Sequence, residues 1–214
     1  MIMGITGFIG SGKDTIADYL CTFHGFKRLS FAASLKDAIS NVFGWDRELL
    51  EGLTKSSREW REQIDPWWSE RLAIPQLTPR WILQHWGTEV CRNGFHNDIW
   101  VASIENKLRL AKDDIVITDC RFNNEVIAIK NAGGMTIRVE RGERPSWYED
   151  AVNYNKGPNC TSWSLSKSKL DKLNIHASEY SSVGLNYDHY IDNNATIDDL
   201  HNTINQLLSL RASN

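Results

Sequence analysis

A chain of 214 residues with a net charge of −3 is long enough for one domain of ordinary size, and it lacks the basic excess of a nucleic-acid backbone binder, whose pI usually exceeds about 9. Its four cysteines, Cys21, Cys91, Cys120 and Cys160, are widely spaced and form no Cys-x-x-Cys pair, which argues against a disulfide frame or zinc site and for reduced thiols in a cytoplasmic protein. No apolar run approaches the ~18 residues that span a bilayer, and Gly10-Ser11-Gly12-Lys13 interrupts the apolar N-terminus, so neither a membrane span nor a signal peptide is expected.

In chain order, residues 1–6 read as a buried strand. The stretch Gly7-Phe8-Ile9-Gly10-Ser11-Gly12-Lys13-Asp14-Thr15 follows, and then Ile16, Ala17, Leu20 and Phe23 recur at helical spacing. Gly7, Gly12 and Lys13 match G-x-x-x-x-G-K in the strand–loop–helix context that a phosphate-binding loop requires. Glycines let the backbone wrap an anion, the N–H groups form a nest, and the helix N-terminus adds about half a positive charge. The residue after the lysine is ordinarily Ser or Thr and holds Mg²⁺. Here it is Asp14, whose carboxylate would repel phosphate unless it faces Mg²⁺, a water or a cationic partner. Thr15 is the expected hydroxyl contact.

Residues 26–31 read as a short strand, and 33–43 as a helix with the stripe Leu35, Ile39, Val42 and Phe43. Lys36 lies off that stripe, near the start of the helix. Residues 46–77 look like short helices and loops. Pro79 in a first turn, with Thr78 as N-cap, opens a helix over 80–92. Arg80, Gln84 and Thr88 recur every four residues along it, which suits either a phosphorylated ligand with hydrogen-bonding edges or a solvated face. Residues 98–110 form another amphipathic helix. Ile115-Val116-Ile117-Thr118-Asp119 reads as a central parallel strand ending in an acid, the position from which phosphate-loop enzymes handle Mg²⁺. Residues 124–131 read as a helix and 135–139 as a strand, with Arg141 beyond its end. From 142 to 186 the apolar periodicity fades, which reads as a lid or a disordered insert carrying Lys156, Lys167, Lys169, Lys172, His176 and Glu179. A short strand over 187–191 and an amphipathic helix through Ile197, Leu200, Ile204, Leu207 and Leu208 close the chain.

Strands alternating with helices predict an α/β fold: a three-layer, doubly wound parallel sheet with its ligand crevice at the C-terminal strand ends. The expected organisation is one phosphate-loop kinase domain over 1–214, with a helical acceptor-binding subdomain at 46–97 and a lid at 142–186. The guanine-reading and switch motifs of a regulatory GTPase are absent.

Taken together, Ser11-Gly12-Lys13-Asp14-Thr15, Leu35-Lys36-Asp37-Ala38, Arg80 through Gln84 to Gly87-Thr88-Glu89, Trp100-Val101, Asp119-Cys120-Arg121 and residues 191–200 resemble the phage deoxynucleoside monophosphate kinases. The resemblance is weakest over 46–77 and 142–186. It implies a nucleoside-monophosphate-kinase-like fold and transfer of the ATP γ-phosphoryl group, with Mg²⁺, to a deoxynucleoside 5′-monophosphate. It also implies a homodimer as one option, and supply of precursors for phage DNA synthesis in the host cytoplasm.

The acceptor is a phosphate monoester with second pKa about 6, already largely dianionic at neutral pH, so no general base is needed. The chemistry reduces to positioning and charge stabilisation. On that scheme Gly7, Gly10, Ser11, Gly12, Lys13, Asp14 and Thr15 bind ATP, and Asp119 with Thr15 serves the metal. Lys13, Lys36, Arg121 and Arg141 act on the moving phosphoryl group. Lys36, Arg80, Gln84 and Thr88 take the acceptor, with Trp86 or Trp100 as an aromatic wall. Two rivals stand beside it. One is a kinase for another acceptor, such as dephospho-coenzyme A, with Asp14 as base. The other is an ATP-binding regulator without efficient transfer.

Overall fold

The structure is a computed structural model and describes residues 1–212. The chain divides into two compact units, one of Met1–Leu29 with Leu108–Asn214 and one of Ser30–Lys107. The first holds a five-stranded sheet and the second is helical.

In the sheet unit, β1 (Ile2–Thr6), β2 (Lys27–Leu29), β3 (Ile115–Ile117), β4 (Met135–Glu140) and β5 (His189–Asp192) lie in the order β2-β3-β1-β4-β5, every pair parallel. All strands therefore end on one edge. The central strands are almost continuously apolar because both faces are covered. Met3 and Ile5 of β1 pack with Ile137 and Val139 of β4, Ile16 and Leu20 of α1 (Lys13–His24), and Leu200 and Ile204 of the C-terminal helix. Gly4, between Met3 and Ile5, points the other way, where a side chain would collide with Ile129 of the helix Asn123–Asn131. One face thus carries α1 and the closing helix, and the opposite face the 123–131 helix. This is the doubly wound parallel sheet expected from the alternation of elements. Each large aliphatic side chain buried in such a core contributes about 1.5–3 kcal/mol.

In the helical unit, α2 (Ala33–Phe43) is followed by the short helices α3 (Arg47–Glu51), α4 (Lys55–Glu62) and α5 (Pro66–Leu72). Leu35, Ile39, Phe43, Trp45, Leu50, Leu77 and Ile82 form its core, with Trp60, Trp68, Trp86 and Trp100 packed at the edge. Tryptophan is frequent here because short helices have little apolar stripe of their own. A large ring bridges several of them: Phe43 touches Trp45, Trp68 and Trp86 at ring separations of 4.5, 4.8 and 5.5 Å.

The structure differs from the sequence reading in three places. The helix expected over 80–92 is α6 (Pro79–Gln84), capped by the Thr78 hydroxyl as anticipated, running into a π-helical segment, His85–Asn93. From His85 on, the turn widens to the i→i+5 spacing of a π-helix. Val42 and Phe23, assigned to apolar stripes, are 53% and 70% exposed. Residues 142–186 are not a loop: after α7 (Ile99–Leu108) and α8 (Asn123–Asn131) come α9 (Tyr148–Asn155), α10 (Trp163–Lys172) and α11 (Ala177–Tyr180), and α12 (Ile197–Ala212) ends the described chain. Tyr148, Ala151, Leu170, Tyr180 and Val183 form a cluster of their own in that segment. Each helix gives it only one or two residues, too few for a visible period.

Candidate active site

At the C-terminal edge of the sheet, the chain leaves β1 and wraps back into α1. Gly12 caps α1 with φ 102°, a left-handed conformation that favours glycine, and a side chain there would run into the Asn193 amide. That amide, from just beyond β5, donates to the Ser11 carbonyl at 2.8 Å and ties the loop to the far side of the sheet. The Ser11 N–H donates to the Phe8 carbonyl at 3.2 Å, and Lys13 Nζ donates to the same oxygen at 2.7 Å. Burial pushes the Lys13 ammonium down to about pKa 8, with the Arg121 and Arg138 charges adding to the effect and those of Asp14 and Glu179 opposing it. The Ser11 hydroxyl is buried with no hydrogen-bond partner. A held cation, an unused buried hydroxyl and a helix N-terminus around one turn are the features by which a loop can take a phosphate.

Asp14 has a cationic partner. Arg28, on edge strand β2, pairs with Asp14, reaches Asp18 at 3.3 Å and donates to Thr118 at the end of β3 at 3.0 Å. The carboxylate that stands where a hydroxyl is usual is thus neutralised from the neighbouring strand. Sequence reasoning missed Arg28, although the demand for a cation near Asp14 was the signal for it. Thr15, in the first turn of α1, lines a groove with Asp18, Tyr19, Ile197 and His201.

Beyond β3, the Thr6 hydroxyl donates to the Cys120 carbonyl at 2.9 Å and locks this turn to the end of β1. Asp119 and Arg121 flank Cys120, whose fully buried thiol is held protonated. The turn is shaped by Glu125, buried at 2% exposure, which accepts the Arg121 and Phe122 N–H groups at 2.7 and 3.1 Å. Arg121 then projects outward and meets Glu179 at 2.8 Å. Arg141 is exposed just past β4. Among the described residues no group of three or more His, Cys, Asp or Glu side chains is arranged to hold a metal. Mg²⁺ entering on ATP needs no such cluster, because it keeps several waters and takes only one or two protein ligands besides phosphate oxygens.

In the helical unit, Lys36 of α2 pairs with Glu51 at 2.5 Å, and Arg47 holds both Glu51 and Asp37. Arg80 meets Glu62 at 3.2 Å. Arg61 lies within electrostatic reach of both Glu51 and Arg80, and its Nε is buried without a hydrogen-bond partner among the described residues. Its pKa is lowered by burial first and then by the charges of Arg80 and Arg58. Lys36 and Arg80, far apart in sequence, thus belong to one charged network, and Arg61 is a member that the sequence did not reveal. Trp86 packs edge-on to Phe43, and the Trp100 indole N–H donates to the Gly87 carbonyl at 2.9 Å, satisfying an acceptor within the π-helical turn. Gln84 and Thr88 are half-buried.

Among known proteins, no family model matches the chain. It is 28% identical over 176 residues to the "Deoxynucleoside-5'-monophosphate kinase" of Escherichia phage T5, a match covering 58% of this chain and 70% of that one. A solved shikimate kinase from Aquifex aeolicus vf5 covers 100% of this chain and 98% of its own, with TM-score 0.46 and 13% identity. A protein of Acanthamoeba polyphaga mimivirus, "Putative deoxynucleotide monophosphate kinase", is 33% identical over 153 residues, covering 66% of this chain and 74% of the relative. Identity and coverage at that level decide the kinship: this chain belongs to the deoxynucleotide monophosphate kinase family.

Proposed function

We propose that this chain transfers the γ-phosphoryl group of ATP to a deoxynucleoside 5′-monophosphate, giving the diphosphate, and so supplies precursors for viral DNA synthesis in the host cytoplasm. The observation that carries this reading is the cradle: Lys13 held on the Phe8 carbonyl beside a buried, unused Ser11 hydroxyl, in a chain of this family.

ATP binding moves Lys13 from the Phe8 carbonyl to the outer phosphates, while the N–H groups of residues 7–15 hold the polyphosphate backbone. Asp14, matched by Arg28, gives the phosphates no uncompensated negative charge. Asp119 and Thr15 are the proposed metal-side ligands. Mg²⁺ arriving on ATP supplies charge neutralisation at the transferring group. Arg121 leaves Glu179 and turns to the moving phosphoryl oxygens, with Arg141 beside them. In the helical unit, Lys36, Arg80 and Arg61 hold the acceptor phosphate. Gln84 and Thr88 meet the nucleoside, with Trp86 or Trp100 against the base. Residues 46–97 serve as acceptor subdomain and 142–186 as the lid that excludes water.

An acceptor with an alcohol in place of a phosphate would need a base. Asp14 is a poor candidate, because Arg28 engages its carboxylate. The test is ADP release from Mg-ATP with each deoxynucleoside monophosphate, the ribonucleotides and dephospho-coenzyme A in parallel. Stimulation by deoxynucleotides is expected. Stimulation by dephospho-coenzyme A alone, or by no acceptor, would refute the proposal.

A further inference from the structure

Arg138 lies in the sheet unit with almost no access to water. It is 1% exposed, on β4, and pairs in register with Thr6, the last residue of β1 before the loop. Its partners do not match its charge. Nη1 donates to the Ser182 hydroxyl at 3.1 Å and to the Ser182 carbonyl at 3.4 Å. Nε and Nη2 have no hydrogen-bond partner among the described residues. The Glu140 carboxylate, 3.5 Å from Nε, is shared with Arg144 and Tyr148. A guanidinium this deep and this poorly matched is costly to keep for the fold alone.

The Tyr187 hydroxyl, which donates to the Ser182 carbonyl at 2.7 Å, also lies beside the guanidinium, and a further contact is with the loop. The Phe8 ring covers the guanidinium, 4.7 Å from carbon to ring centroid. Trp147 and Tyr148 hold the same ring edge-on at 5.6 and 6.2 Å. The other end of Phe8 is the carbonyl that accepts both Lys13 Nζ and the Ser11 N–H. One residue therefore sits on the buried cation and carries the oxygen on which the loop folds.

We propose that Arg138 is a positioning residue for the nucleotide: its guanidinium holds Phe8, fixes the shape of the loop over residues 7–13, and adds a fixed positive charge behind the bound polyphosphate. The proposal rests on the reading of that loop as the ATP cradle. An arginine kept only for structure would be satisfied by its neighbours, and its loss would loosen the fold. Arg138 is under-satisfied, so an apolar side chain of similar length relieves a buried charge while releasing the loop.

The test compares the full wild-type chain with Arg138→Met, Arg138→Lys and Phe8→Leu. The readouts are melting temperature, Mg-ATP affinity by calorimetry, and the separate KM values for ATP and for a deoxynucleoside monophosphate. Arg138→Met is expected to melt at or above the wild-type temperature yet bind ATP about tenfold more weakly, with KM raised for ATP and unchanged for the acceptor. Arg138→Lys restores part of the affinity, and Phe8→Leu repeats the ATP-side loss while leaving the Ser182 and Glu140 contacts of the guanidinium in place. Wild-type ATP affinity in both Arg138→Met and Phe8→Leu overturns the proposal and leaves the cradle intact. A Met variant that unfolds or melts lower, with Phe8→Leu binding ATP normally, makes Arg138 structural and overturns it too. A wild-type chain that binds no ATP removes the cradle and the proposal together.

Discussion

Arg28→Met isolates what the cation on β2 does for the loop. Arg28 spans Asp14, Asp18 and Thr118, and Asp14 is 67% exposed at the start of α1. Without Arg28, the Asp14 carboxylate faces the triphosphate uncompensated. At a separation of about 6 Å and an effective dielectric of about 40 for a mostly exposed group, each unit of phosphate charge costs about 1.4 kcal/mol, or tenfold in affinity. Arg28→Met should therefore weaken Mg-ATP binding about tenfold, and by less in high salt. Asp14→Asn alone should leave ATP affinity unchanged or improve it, and Arg28→Met with Asp14→Asn should return close to the Asp14→Asn value. Calorimetric titration of all four proteins at low and high salt measures the cycle. A double variant as weak as Arg28→Met would refute this reasoning. So would an Asp14→Asn variant that binds ATP normally and loses all turnover, because Asp14 would then act on the metal or the acceptor.

The Lys13 ammonium gives a pH signature. Its pKa is depressed to about 8 in the folded chain, so between that value and its unfolded value the native state binds fewer protons, and this group's contribution to stability rises with pH. Polyphosphate favours the charged form, so ATP affinity should be flat below about pH 8 and fall by up to about tenfold per unit above it, with proton uptake on binding. Calorimetry in buffers of different ionisation heat would detect the uptake, and a flat profile to pH 9.5 or so would contradict it. Arg121→Ala should lower kcat by about three orders of magnitude or more with ATP affinity nearly intact, as single-turnover measurements would register. Arg61→Met should raise KM for the monophosphate without changing KM for ATP, while relieving the crowding of Arg61 by Arg58 and Arg80; an unchanged acceptor KM removes Arg61 from the acceptor site.

The parts of the fold that were legible are those where one element carries its own pattern. Leu35, Ile39 and Phe43 mark α2, Ile16, Ala17 and Leu20 mark α1, and the apolar run ending at Asp119 marks β3. The loop between β1 and α1 was legible because its glycines and lysine fall within a few consecutive residues. What was missed depends on pairs far apart in the chain. Arg28 looks like one exposed basic residue until β2 lies beside β3 and Asp14 comes within reach. Asn193 is one of two adjacent asparagines after a weak strand, and only the assembled sheet brings its amide to Ser11. Arg138 interrupts Ile137 and Val139 as any outward strand residue would, and its burial comes from the 142–186 segment, whose helices have no clear period. The π-helical turns have no residue signature at all, so the change of helix type at His85 was not legible.

The most direct test of the central claim follows the phosphoryl group itself. Incubate the chain with Mg-ATP labelled in its γ-phosphoryl oxygens and each deoxynucleoside monophosphate, and identify the products by mass. The account predicts a labelled deoxynucleoside diphosphate in step with ADP, lost in Lys13→Ala and Arg121→Ala. Label recovered only as inorganic phosphate, or ADP formed with the monophosphate unchanged, would contradict it.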